Sequence, residues 1–200
     1  MIRTRRSLGF ALLTIVAGVV GWFASFELLN ERIKTLIDPT YTPMCDFSVL
    51  VSCGPNMASA QGSTFGFPNP ILGVTMFVAP LVVGVSILAG AQFAHWFWRL
   101  YLLGVTFAIS FVIWLISTSV YVLGTLCPWC MVVWVVTIPL FWYTLLYTAK
   151  EGHLWLPEGA RKKAETLYSW SWVLVLASYL TVAVIAQVTL DWVTELIRAF

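Results

Sequence analysis

The chain has 200 residues, of which 60% are hydrophobic and only 10% charged, with a formal net charge of +2. Soluble domains carry about a quarter charged residues, so this composition excludes a soluble globular fold and marks an integral membrane protein. The apolar residues come in continuous runs rather than short alternating strands, which excludes a closed β-barrel. An all-α membrane fold is expected.

In chain order, the first apolar run predicts a helix over about 8–28, preceded by Arg3, Arg5 and Arg6. Arginines before an apolar run also open signal peptides, and TRRSLGF has a faint twin-arginine character. The run exceeds a typical signal core and ends at ASFELLNERIK without a small-x-small cleavage site, so a retained helix is expected. A long loop over 29–69 follows. Further helices are predicted over about 70–92, 100–123, 128–148 and 169–190. The uncharged stretch from Leu100 to Ala149 is too long for one crossing of about 20 residues, so it holds two. No internal repeat or low-complexity tract appears. Residues 1–200 are expected to form a single membrane domain without a fused thioredoxin-like domain.

Lysine and arginine set the orientation. With five spans and the N-terminus inside, the cytoplasmic segments hold Arg3, Arg5, Arg6, Arg99, Lys150, Arg161, Lys162 and Lys163. The outer segments hold only Arg32, Lys34 and Arg198. The net positive charge is therefore a topology signal, and no nucleic-acid partner is expected. Trp96, Trp98 and Trp155 read as interfacial belt residues.

All four cysteines then fall outside the cytoplasm, where disulfides persist. Cys45 and Cys53 lie in the 29–69 loop, and Cys127 and Cys130 form a Cys-x-x-Cys where the third helix hands over to the fourth. Three readings compete: structural disulfides, a four-cysteine zinc site and a two-pair dithiol relay. A Cys-x-x-Cys loop is too short to restrain much unfolded chain. The unequal spacing of the two pairs departs from the usual zinc signature. Local chemistry supports the relay. Cys127 falls at an N-cap with Pro128 at the first helical position. The unsatisfied N–H groups and the positive dipole end there favour a thiolate, the usual device for making such a pair exchange disulfides. Cys130, one turn deeper, is expected to face the bundle interior, and Cys127 the aqueous side.

Pro43, Gly54 and Pro55 make the segment around the loop cysteines turn-rich, which suits a mobile arm. NMASAQGSTFGF is mildly amphipathic and is expected to form a short helix across the membrane surface, with Phe65 and Phe67 on its apolar part. In PNPILG, Asn69 and Pro70 read as an N-cap and N1 pair; the Asn69 amide is also placed to donate a hydrogen bond at the bundle mouth.

The order of these motifs, a loop pair written CD and then SC, then FGFPNPILG, then a Cys-x-x-Cys opening the fourth helix, resembles the vitamin K epoxide reductase family. The similarity covers most of residues 36–148 and lies nearest the bacterial, actinobacterial-type homologues. The resemblance implies a four-helix bundle around a quinone, a fifth transmembrane helix outside it and an extracytoplasmic loop capping the bundle. It implies a bacterial inner-membrane enzyme that oxidises a separate thioredoxin-fold disulfide carrier and passes the electrons to menaquinone or ubiquinone. In that scheme Cys45 exchanges with the carrier, Cys53 passes electrons to Cys127, and Cys130 contacts the quinone. Asn69 matches an asparagine that hydrogen-bonds a quinone carbonyl, and Phe65 and Trp134 are further candidate quinone contacts. Trp134 stands where animal enzymes have a tyrosine, which bears on a hydroxyl contact and on epoxide reduction. No metal site is expected on this reading.

Alternative functions are vitamin K epoxide or quinone reduction, a non-catalytic zinc-binding membrane protein and a channel subunit. The channel lacks support because Glu27 is the one charge inside a predicted helix. The unrelated bacterial quinone-linked disulfide oxidases fit less well, because their Cys-x-x-Cys lies in the first outer loop.

Overall fold

A computed structural model of the protein describes residues 5–194. Arg3 and Arg198, used above for orientation, lie outside the described residues. The helices are α1 (Arg5–Ile37), α2 (Gly54–Ala58), α3 (Pro70–Met76), α4 (Val78–Leu88), α5 (His95–Thr118), α6 (Pro128–Lys150), α7 (Glu158–Ser169) and α8 (Ser171–Leu190). Among the described residues no strand forms. Among these residues five helical segments are long and apolar enough to cross a membrane, with α3 and α4 counting as one and α5 continuing through a π-helical turn, Ser119–Leu123. The protein is an all-α multi-pass membrane protein.

Several boundaries differ from the expectation, each for a local reason. α1 continues to Ile37 because no breaker occurs before Asp38 and Pro39, and Lys34 pairs with Glu31 at 2.8 Å one turn away. Glu31, Arg32 and Lys34 therefore ride on the helix rather than in the loop. The second crossing breaks between α3 and α4 at Phe77. Pro80 has no N–H to give the Met76 carbonyl, so the helix cannot run through. α5 starts at His95 instead of about residue 100, which turns Trp98 inward; it is 3% exposed and packs against Phe10 and Tyr147. Trp98 is thus a core residue, not a belt residue, while Trp96 and Trp155 are exposed. The amphipathic α7 was not anticipated; Ala164 is buried on one side and Arg161, Lys162 and Lys163 are exposed.

α1 packs against α3, α4 and α6, and α5 packs against α6. α8 lies outside this four-helix bundle, against α6 and the π turn. The α1–α4 seam is close because small residues line it. A Cβ at Gly18 would stand 2.7 Å from the Leu81 amide nitrogen, and one at Gly84 would stand 2.5 Å from Thr14 Oγ1.

The attachment of α8 follows from one proline. Pro139 sits inside α6 and cannot donate to the Val135 carbonyl one turn back. The Tyr179 hydroxyl of α8 donates to that carbonyl at 2.5 Å, and the Trp142 indole donates to Ser178 Oγ at 3.1 Å. Tyr179→Phe should therefore lower stability by about 1–2 kcal/mol, read as a lower Tm in detergent. In a Pro139→Ala background the restored backbone N–H takes the same carbonyl, so Tyr179→Phe should cost much less there. Equal costs in both backgrounds would contradict the assignment.

Candidate active site

Four sulfurs gather at one end of the bundle. Cys45 and Cys53 are joined in a disulfide, and Cys127 and Cys130 are free thiols. Cys127 Sγ lies 3.4 Å from Cys53 Sγ, across 74 positions of sequence. Cys127 occupies the α6 N-cap with Pro128 following, and its sulfur accepts from the Cys130 backbone N–H at 3.4 Å. The cap position matches the sequence reading; the exposure does not. Cys127 is fully buried, because the loop disulfide closes over it. Cys45 is likewise only 4% exposed.

Backbone pairing and side-chain bonds bring the loop to α6. Gly124, at φ 66°, turns the chain out of the π turn. Leu126 N–H then donates to Leu50 O at 2.7 Å and Ser52 N–H to Leu126 O at 3.1 Å, a single parallel bridge beside Cys53 and Cys127. The Asn56 amide of α2 donates to Thr125 Oγ1 at 2.8 Å and accepts from the Ser119 hydroxyl at 2.9 Å. Asp46 Oδ1 accepts from the Ser52 hydroxyl at 2.8 Å, Cys53 N–H at 2.6 Å and Gly54 N–H at 3.0 Å. Glu31, 3% exposed, accepts from Lys34 Nζ, the Tyr41 hydroxyl and Met44 N–H, tying the residue before Cys45 to the end of α1. Sequence reasoning missed Asn56, Asp46 and Glu31; the one signal for Asp46 was its place in the CD motif.

The Cys127 thiol is held below its ordinary value. A hydrogen bond from the Cys130 thiol is the largest cause; burial opposes it, the backbone N–H groups of Cys130 and Trp129 add to it, and the nearby Asp46 charge works against it.

Below the sulfurs lies a cavity of about 530 Å³ bounded by α1, α3, α4, α5 and α6. Cys130 lies on its wall, as do Asn69 and Trp134, and the walls between are apolar: Leu72, Met76, Phe111 and Leu115 among them. Asn69 holds the N-cap position of α3 without making the cap bond. Its Nδ2 donates to Gln61 O at 2.6 Å and its Oδ1 accepts from Thr64 N–H at 3.1 Å, so it ties down the loop instead. An amide NH₂ has two hydrogens, and the bond to Gln61 uses one of them. Trp134 is 5% exposed and its indole N–H is buried without an acceptor among the described residues. Phe65 is not on the cavity wall; it is 49% exposed and packs against Phe111, which is. The helix expected around it is two short turns, α2 and a 3-10 turn over Ala60–Ser63, both ending before Phe65. For a metal, Cys45, Asp46 and Cys53 come within 4.8 Å of one another. Their two sulfurs are tied up in the disulfide, which leaves one anionic donor.

A membrane helix bundle with an apolar cavity, a dithiol on its wall and a disulfide in contact with that dithiol defines a protein of thiol–disulfide chemistry. The sequence matches the model of the Vitamin K epoxide reductase family over residues 12–145, and the chain belongs to that family. Membership makes it a membrane thiol–disulfide oxidoreductase linked to quinones. No curated protein matches the chain significantly.

A depressed thiol keeps its thiolate at pH values where an ordinary thiol is protonated, and loses it only as pH falls through the lower value. In a Cys45→Ser, Cys53→Ser background, which leaves Cys127 no disulfide to attack, Cys130→Ala removes the main stabilising donor, so the thiolate absorbance of Cys127 should titrate at higher pH than in that background alone. An unchanged midpoint would contradict the assigned cause.

Proposed function

We propose that this protein oxidises a separate thioredoxin-fold disulfide carrier outside the cytoplasmic membrane and delivers the electrons to a membrane quinone, supporting disulfide formation in exported proteins. The observation that carries this reading is the 3.4 Å approach of Cys53 to Cys127, with Cys130 on the cavity wall next in line. The excess of lysine and arginine in the cytoplasmic segments supports an N-terminus inside and all four cysteines outside a bacterial inner membrane.

The residues fit a quinone. A cavity of about 530 Å³ is of ligand size, and it is mainly apolar with few polar groups. The orphaned indole N–H of Trp134 and the second amide hydrogen of Asn69 are donors suited to carbonyl oxygens. The tryptophan thus offers a donor where a tyrosine hydroxyl is missing. When bound, a quinone supplies a two-electron, two-proton acceptor for the Cys127–Cys130 dithiol.

The protein's own steps are exchanges of sulfur bonds. A carrier thiolate attacks Cys45 Sγ, forming a mixed disulfide and releasing Cys53 as thiolate. The carrier's second thiol then resolves that bond, leaving oxidised carrier and reduced Cys45. Cys53 attacks Cys127 Sγ of the oxidised Cys127–Cys130 pair, and Cys130 leaves as thiolate. Cys45 attacks Cys53, which re-forms the loop disulfide and releases Cys127. Two electrons have then moved from the carrier to Cys127 and Cys130, the redox arrangement seen here. Because Cys45 is buried, the arm over residues 38–52 must lift for the first step and close for the third.

Reconstituted protein given a reduced thioredoxin-fold carrier and menaquinone or ubiquinone should oxidise the carrier as quinol accumulates, one for one. Changing any of the four cysteines to serine should lower that rate by about a hundredfold or more. Thiol-driven reduction of quinone or vitamin K epoxide without carrier oxidation would overturn the carrier assignment in favour of epoxide or quinone reduction.

A further inference from the structure

Asp46 is half-buried and directly follows Cys45. Its Oδ1 receives three hydrogen bonds, two of them from the backbone N–H groups of Cys53 and Gly54 that open α2. Gly54 makes room for it: a Cβ there would stand 2.9 Å from Asp46 Oδ2. The carboxylate is also within 4.8 Å of both sulfurs of the loop disulfide. A negative charge that close disfavours a thiolate on either sulfur. Among the described residues, the other charged groups facing this disulfide are few. Glu31 reaches the arm only at Met44 N–H and is paired with Lys34 and bonded to Tyr41. From α6 come Cys127 and Cys130, and α2 carries no charge.

We infer that Asp46 is the positioning residue of the loop pair: it anchors Cys53 against Cys127, and its charge makes Cys45–Cys53 the more reducing of the two pairs. The inference rests on the electron path proposed above. The charge destabilises the loop thiolates relative to their disulfide. Once the carrier has reduced the loop, the electron pair on Cys53 is driven onto Cys127, whose thiolate has the Cys130 thiol and the start of α6 to stabilise it.

The test isolates the loop pair in a Cys127→Ser, Cys130→Ser background and needs neither quinone nor carrier, so it stands apart from the proposed function. The full chain is equilibrated with glutathione buffers and the dithiol fraction is read by alkylation and mass shift, at pH 6 and pH 9. Asp46→Asn keeps an acceptor oxygen and removes the charge. At pH 9 it should favour the dithiol by about threefold if one thiol shifts by roughly one unit, and about tenfold if both do. At pH 6, where the thiols are protonated in either protein, the difference should vanish. No shift at pH 9, or an equal shift at both pH values, would overturn the electrostatic role. Anchoring is tested in a Cys130→Ser background by the yield of the Cys53–Cys127 bridge. Asp46→Ala should lower the yield severalfold and Asp46→Asn should retain it. Undiminished bridging in Asp46→Ala, or equal loss in both variants, would overturn the positioning role.

Discussion

The contact between Cys53 and Cys127 is the point on which the molecule is organised. Two sulfurs at 3.4 Å are at van der Waals range, where exchange needs a small displacement and no diffusion. Holding them there takes elements distant in sequence. α6 supplies an N-cap, the π turn and Gly124 redirect the chain ahead of it, and one bridge at Val51 and Leu126 joins loop to bundle. Each is a local departure from regular helix, and each is costly unless its backbone groups find partners. Here they do: Thr125 N–H donates to Ser119 O, the Asn56 amide donates to Thr125 O, and Ser52 N–H donates to Leu126 O.

The same contact solves a problem of solvent. Water-soluble thiols and a lipid-soluble acceptor do not share a phase. The loop disulfide closes over Cys127 on one side, and Cys130 borders an apolar cavity on the other. Burial of all this chemistry would penalise charge, so the charges present are bonded. Glu31 has three kinds of donor, and Asp46 has three donors on one oxygen. These two carboxylates tie a loop of turns to the end of α1 and the start of α2.

The sequence was informative wherever the rule is local. Continuous apolar runs give the spans, and Cys127 with Pro128 gives the α6 cap, because both depend on neighbours along the chain. It was silent where partners are remote. Nothing near Asn56 announces Thr125 or Ser119, and nothing near Glu31 announces Met44. Asn69 shows the limit: Asn-Pro predicts a capping bond, yet the amide bonds back to Gln61 and Thr64 because the preceding loop folds against it. Trp98 reads as a belt residue in the sequence but lies in the core, because helix α5 starts at His95 and rotates the indole into the bundle. Exposure of Cys127 failed for a similar reason, since an N-cap at a bundle rim is open only if no loop covers it. Pro139 was visible throughout, but its consequence, a carbonyl free for Tyr179, required the position of α8.

Mass mapping of disulfides in non-reduced Cys130→Ser protein, with free thiols alkylated, tests the central contact most directly. A bridge between Cys53 and Cys127 with Cys45 alkylated is the result this account predicts. A bridge between Cys45 and Cys127, or Cys45–Cys53 alone under every oxidising condition, would contradict it.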